Sequence, residues 1–504
     1  MNQSRQKAIA IGMGYGNLII YNLVAFILTP VMIVIWGDAS YGVYKIILSL
    51  MTYFMLIDSG IRNSVVRFIS EYRTKNDRDS ARRYIATIIS FYAVASAVLI
   101  LLVHGFSFVI PSLYANSLTP SEIQTVLYAL PWLILYTIGT LFFNCFTALL
   151  RGYNRQITVQ TVNIGRSVIR FGVLYPMLRM KCGVVEVISV DALISAVFAA
   201  GVLLLIFLGI KLPPKFRGID RAFIGNIVKY SGVMLVYTFA NSLFWSTGNF
   251  LVGVMTSSVL AAVYTTSVAL TNIFQSLSSA VSQVLVPDIM VKGFTTNDPD
   301  RLNRMMVKVG KFKMYSMLLV LIGFGVFGRE FVCLWIGEKY TSTYIIAFIT
   351  MIPLFFGMLQ DVPHSIMLAR NKHKEMASVM VIAAFANFVC SFLLIKIWGI
   401  YGAAIGTVLS YTAIYVVFTY FYYAKMLSFD MKMLYKETII NNLLPFVILV
   451  IVGCLIRFIP LHGWLGLIFK TTIFTAVYLV AVFTLLADRK EMLNLLRKKQ
   501  RQDE

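Results

Sequence analysis

The stretch YGVYKIILSLMTYFMLIDSG, residues 41–60, returns in degenerate form as AAVYTTSVALTNIFQSLSSA, residues 261–280, at an offset of 220. Val43 and Tyr44 meet Val263 and Tyr264, Leu50 meets Leu270, Phe54 meets Phe274, and Ser59 meets Ser279. Further out, GFSFVIPS from Gly105 matches GREFVCLW from Gly328 at an offset of 223, and Gly183 answers Gly399 at 216. Three near-constant offsets in chain order indicate an internal duplication.

Both copies are strongly apolar. Hydrophobic residues make up 59% of the chain and charged residues 13%, against about 25% charged in ordinary soluble domains. Apolar runs near the ~20 residues that cross a ~30 Å hydrocarbon layer recur from Ala8 to Ala487 and predict about 14 transmembrane helices. Each copy then holds six spans. An even number returns the chain to its starting side, so the copies are parallel and related by a pseudo-two-fold axis along the membrane normal. The expected fold is an all-α integral membrane protein with an N-lobe (1–211), a C-lobe (212–425), two extra C-terminal helices (426–487) and a basic tail (488–504).

A formal charge of +22 would suggest nucleic acid in a soluble chain. The distribution of charge points elsewhere, because Lys and Arg of membrane proteins collect in cytoplasmic loops. With the amino terminus inside, 32 of the 44 basic residues fall in inner segments and 6 in outer loops. The remaining 6 lie within spans: Lys45, Arg62, Arg67, Arg166, Arg170 and Lys470. Trp36, Trp335, Trp398 and Trp464 fall at outer ends, where an interfacial aromatic belt places them. Both termini are expected in the cytoplasm, with no nucleic-acid partner. The five cysteines and four histidines show no metal spacing, and neither GxxxxGK[ST] nor HExxH occurs. No cofactor and no enzymatic activity are expected.

Charges at membrane depth are rare and point to function. In LIDSGIRNSVVRF, residues 56–68, Asp58 and Arg62 share one helical face at i and i+4. Counting from Tyr41 on a ~1.5 Å rise puts Asp58 about 26 Å and Arg62 about 32 Å into the layer. Arg62 thus reaches the inner interface, either as a snorkelling anchor or as a first contact for an anion. In QTVNIGRSVIRFG, residues 160–172, Arg166 lies about 16 Å and Arg170 about 22 Å deep. An arginine near the bilayer centre costs at least ~2.5 kcal/mol unless water or an anion receives it. Arg166 therefore lines a cavity or pairs with Asp191, which lies about 10 Å in from the outer face. By the repeat, Asp58 and Arg62 correspond to Ser278 and Ser282, so the C-lobe lacks those charges. Its nearest candidates are Lys229, Asp361 and His364, while Asn17, Asn22 and Asn241 could contact sugar or neighbouring helices.

Four stretches together resemble the polysaccharide and lipid-linked oligosaccharide flippases of the multidrug/oligosaccharidyl-lipid/polysaccharide exporter superfamily. They are WGDASYGVYKIILSLMTYFMLIDSGIRNSVVRFISE (36–71), TALLRGYNR (147–155), NFLVGVMTSSVLAAVYTTSVAL (249–270) with VPDIM (286–290), and WGIYGAAIGTVLSY (398–411). The resemblance implies two six-helix lobes facing across a cavity and working by alternating access. It implies an undecaprenyl-pyrophosphate-linked oligosaccharide, such as a surface polysaccharide repeat unit, moved from the inner to the outer leaflet of a bacterial plasma membrane. Membrane lipids and a polysaccharide polymerase or other assembly proteins are the implied partners. A peptidoglycan-precursor flippase and an ion-coupled multidrug exporter share the architecture and remain alternatives. Multidrug antiporters commonly carry acidic residues in the first span and in the second lobe, yet Met1–Ile35 and Ile224–Pro287 contain none. Arginine suits a pyrophosphate because its planar fork donates paired hydrogen bonds and stays protonated. The expected substrate-binding residues are Arg166, Arg170, Arg62, Asp58, Asp191 and Asn17.

Overall fold

The computed structural model describes residues 3–210, 214–215, 221–295, 299–369, 373–427 and 429–482, and the basic tail lies outside them. Regular structure among the described residues is entirely helical. The first half of the chain forms α1 (Gln3–Phe54), α2 (Leu56–Thr74), α3 (Arg78–Ser107), the short α4 (Ile110–Leu113), α5 (Pro120–Gly152), α6 (Gln156–Arg179), α7 (Val184–Ile210) and α8 (Arg221–Met255). The second half forms α9 (Ser258–Thr295), α10 (Pro299–Ile336), α11 (Thr341–Met358), α12 (Asp361–Ala369), α13 (His373–Trp398), α14 (Ile400–Tyr411), α15 (Thr419–Leu427), α16 (Met431–Thr438), α17 (Leu443–Arg457) and α18 (Gly463–Ala481).

Ten segments of the described residues are long and apolar enough to cross a membrane, so the chain is a multi-pass membrane protein. The expected fourteen spans are not drawn as fourteen separate apolar helices. α1 runs through the first expected span into the second, interrupted only at Gly37, whose φ of 76° and ψ of 169° are open to glycine and strained for other residues. The second expected span is itself cut at Met55, so that α2 begins at Leu56. α6 has the length but is not among the ten, because Arg166, Arg170 and several amides lower its apolar character.

Helix starts follow their sequences. Asp77 caps α3 by accepting from the Ser80 amide at 3.0 Å. Thr119 and Glu122 form a reciprocal capping box at α5, with Pro120 in the first turn where its missing amide hydrogen costs nothing.

The chain divides into two contact units that do not follow chain order: residues 1–265 with 373–403, and residues 266–372 with 404–504. Within the first, α5 packs along α7, α8 along α13, α1 against α6, and α2 against both α5 and α8. One approach there leaves no room for a side chain: a Cβ on Gly42 would lie 1.8 Å from the Ser258 carbonyl oxygen. The Ser258 hydroxyl in turn donates to the Glu122 carboxylate at 2.6 Å. Within the second unit, α10 is the hub for α11, α16, α17 and α18. Among the described residues three ion pairs pin it: Lys470 of α18 to Glu330 at 3.2 Å, Lys311 to Glu437 of α16 at 3.4 Å, and Lys313 to Asp361 of α12.

Candidate functional site

The break at Met55 places Asp58 in the first turn of α2, where helical amides favour a negative charge. Asp58 is only 1% exposed and is held from three helices. Tyr92 of α3 donates to it at 2.6 Å, Asn144 of α5 at 2.8 Å, and Arg62 contacts it through Nε at 3.1 Å. The arginine of this pair is the open member, with 42% of its side chain exposed.

Arg62 leads into a cavity of about 360 Å³ walled also by Arg151, Asn144, Asn163, Thr147 and Thr238. The guanidinium groups of Arg62 and Arg151 both line it, and among its described lining residues there is no carboxylate. Two like charges lining one cavity favour an anion between them, although Asp58 already offsets that of Arg62 from outside the wall. The amide and hydroxyl neighbours are neutral hydrogen-bonding groups of the kind a sugar or phosphate uses.

A second cluster lies on α5, α6 and α7. Arg170 and Asp191 pair through two bonds, Nε to Oδ1 at 2.6 Å and Nη2 to Oδ2 at 2.8 Å, and Tyr44 adds a contact to Arg170 at 3.2 Å. Arg166, one turn away, has only neutral partners: Nη2 donates to Ser195 at 2.7 Å and to Thr140 at 3.1 Å, and the guanidinium lies 4.6 Å from the Phe143 ring centroid. Asp191 therefore goes to Arg170, leaving Arg166 with no carboxylate in ion-pair range among the described residues.

The other sequence candidates disperse. Asn17 is half-buried on α1 and joins neither cluster. Asn22 donates back to the Leu18 carbonyl of its own helix at 2.8 Å. Asn241 is half-buried on α8. The Lys229 side chain is outside the described residues. Asp361 begins α12 with His364 one turn on, and it takes the ammonium of Lys313, which also donates to the Met358 carbonyl at 3.1 Å. Lys313, 1% exposed, looks in the sequence like one more basic residue of the charged inner segment TTNDPDRLNRMMVKVGKFK, although it lies within α10. Its position one turn inside an apolar run is the signal that marks it. Tyr92, Asn144, Arg151 and Asn163 also carry no sequence signal of their own, since each becomes relevant only through a partner on another helix.

Comparison with known proteins gives a consistent family and fold. A family model described as "Polysaccharide biosynthesis protein" matches residues 6–291. The "Uncharacterized membrane protein EpsK" of Bacillus subtilis is 23% identical over 518 aligned positions, covering 95% of this chain and 96% of that protein. Among solved structures, an inward closed conformation of the lipid II flippase MurJ superposes with a TM-score of 0.75 at 14% identity, covering 93% of this chain and 97% of the other. An inward-facing multidrug resistance MATE family transporter of the MOP superfamily gives 0.64 at 12% identity, covering 83% and 96%.

Proposed function

Because the chain belongs to the polysaccharide biosynthesis protein family, we propose that it is a flippase for an undecaprenyl-pyrophosphate-linked oligosaccharide, such as a surface polysaccharide repeat unit. It carries this cargo from the inner to the outer leaflet of a bacterial plasma membrane, by alternating access of its N- and C-lobes and with both termini cytoplasmic. A polysaccharide polymerase or other assembly proteins take the cargo onward. The observation that carries this reading is the cavity lined by both Arg62 and Arg151, with no carboxylate among its described lining residues. A pyrophosphate crossing hydrocarbon must exchange its hydration for donors of equal strength, and two guanidinium forks supply them. Arg166, whose charge meets only hydroxyls and a ring, is a second station along the same path.

The test is complementation of a flippase-null strain. Arg62→Gln combined with Arg151→Gln, verified in the membrane by immunoblot, should abolish surface polysaccharide, and Arg166→Gln should reduce it. Full restoration by the Arg62→Gln, Arg151→Gln variant would overturn the cationic-path reading.

A further inference from the structure

An apolar groove of about 650 Å³ lies in the same unit as the cationic cavity, walled by α2, α3, α8 and α13. Phe91, Phe239, Phe385 and Phe388 form its rim, each between 42% and 69% exposed. Its floor is small or flat: Ala240, Ala384 and Ile61 are all buried. Thr247 turns its hydroxyl back to the Leu243 carbonyl at 2.7 Å, so it presents no polar atom to the groove. From Val236 to Thr247 the wall runs about 16 Å along α8 on a ~1.5 Å rise.

Two helices give consecutive residues to the two sites, and a third connects them through Asp58. On α2, Ile61 lines the groove and Arg62 the cavity; on α8, Phe239 lines the groove and Thr238 the cavity. On α3, Phe91 lines the groove while Tyr92 holds Asp58, the tether of Arg62. The polar and apolar sites thus lie on adjoining faces of the same helices, because consecutive helical residues point about 100° apart.

We propose that this groove seats the prenyl chain of the cargo whose pyrophosphate occupies the Arg62–Arg151 cavity, a subsite that rests on the flippase reading above. In a polyprenyl pyrophosphate the charged group is bonded directly to the chain, so one molecule fills both sites only if they lie within about a helix width. The α2–α8 seam is then the line the lipid straddles. Lipid tails are as apolar as the groove wall, so burial of apolar area selects nothing here. Selection comes from packing, and a slot with an aromatic rim and an alanine floor gives a chain contacts on more sides than the bilayer does.

The experiment uses the full chain in nanodiscs of phosphatidylglycerol and phosphatidylcholine. The probes are undecaprenyl pyrophosphate bearing a diazirine on its chain, a diazirine-labelled phosphatidylglycerol, and inorganic pyrophosphate. The prenyl probe should label the α13 segment around Phe385 and Phe388, and unlabelled undecaprenyl pyrophosphate should compete it away. Ala384→Phe, which fills the floor, should weaken prenyl-probe binding by about tenfold, the scale of one well-buried side chain's contacts. Phe385→Ala, at the most exposed rim position, should weaken it a few-fold without touching the core. Neither change should alter binding of inorganic pyrophosphate. Prenyl labelling that falls elsewhere, or both groove variants binding the probe like the parent, overturns the proposal. Equal labelling of the groove by phosphatidylglycerol, with no competition from undecaprenyl pyrophosphate, also overturns it and identifies the occupant as bulk lipid. Competable groove labelling that is unaffected by Arg62→Gln with Arg151→Gln supports the groove and overturns the headgroup role of the cavity.

Discussion

Arg170 with Asp191 and Arg62 with Asp58 are both arginine–aspartate pairs in one unit, and they are built in opposite ways. In the first, the fork meets the carboxylate through two bonds, Asp191 is 2% exposed and the charges cancel in place. In the second, the carboxylate is saturated by Tyr92 and Asn144 as well as by Arg62, while the arginine gives it one nitrogen and turns the rest of its fork toward a cavity. A closed pair is a fastener. A pair with a buried acid and an open base holds a cation in place for something else to bind.

Three substitutions can break or sharpen that contrast. The largest effect belongs to Asp191→Ala, which strands Arg170 without its counter-charge. Thermal unfolding in detergent should show a loss of about 3–5 kcal/mol, the usual cost of half-removing a buried pair. The double change Asp191→Leu, Arg170→Leu should recover most of it. A single variant as stable as the parent would end the description of this pair as a fastener. Asp58→Asn comes next: it keeps a similar shape but weakens the bonds from Tyr92, Asn144 and Arg62, and should cost about 1–3 kcal/mol in the same assay. Because Arg62 loses its tether, affinity for inorganic pyrophosphate should fall as well. The smallest stability effect belongs to Arg62→Gln, within about 1 kcal/mol because the arginine is substantially solvated, although pyrophosphate titration should register a loss of at least tenfold. If Arg62→Gln instead unfolds the protein while binding survives, the two pairs are alike after all.

Much of this was legible in the sequence, and the remainder was hidden for identifiable reasons. Rare charges in apolar runs drew attention to Asp58, Arg62, Arg166 and Arg170, and the i to i+4 spacing brings the first two together as observed. The partner of Asp191 was also within reach. At about 10 Å from one face of a ~30 Å layer, it stands level with Arg170 at about 22 Å from the other, not with Arg166 at about 16 Å. Neutral partners were out of reach: threonine, serine, tyrosine and asparagine are common in these helices, and only rotation about each axis selects Thr140, Ser195, Tyr92 and Asn144. The helix break at Met55 carries neither Gly nor Pro, and nothing in the local sequence announces it. Lys313 does not stand out in the sequence, because solvated and buried charges look alike within one turn of a span's end.

Gly42 has a consequence for anyone scanning this protein by random mutagenesis. Even alanine there inserts a methyl group into a carbonyl oxygen, so every replacement acts as a spacer between two backbones regardless of its chemistry. A dead variant at that position reports a spoiled fit and must be left off any map of cargo contacts. The same intolerance makes it a tool: one added carbon pries α1 from the turn between α8 and α9 and shows how much of the protein's work depends on their meeting.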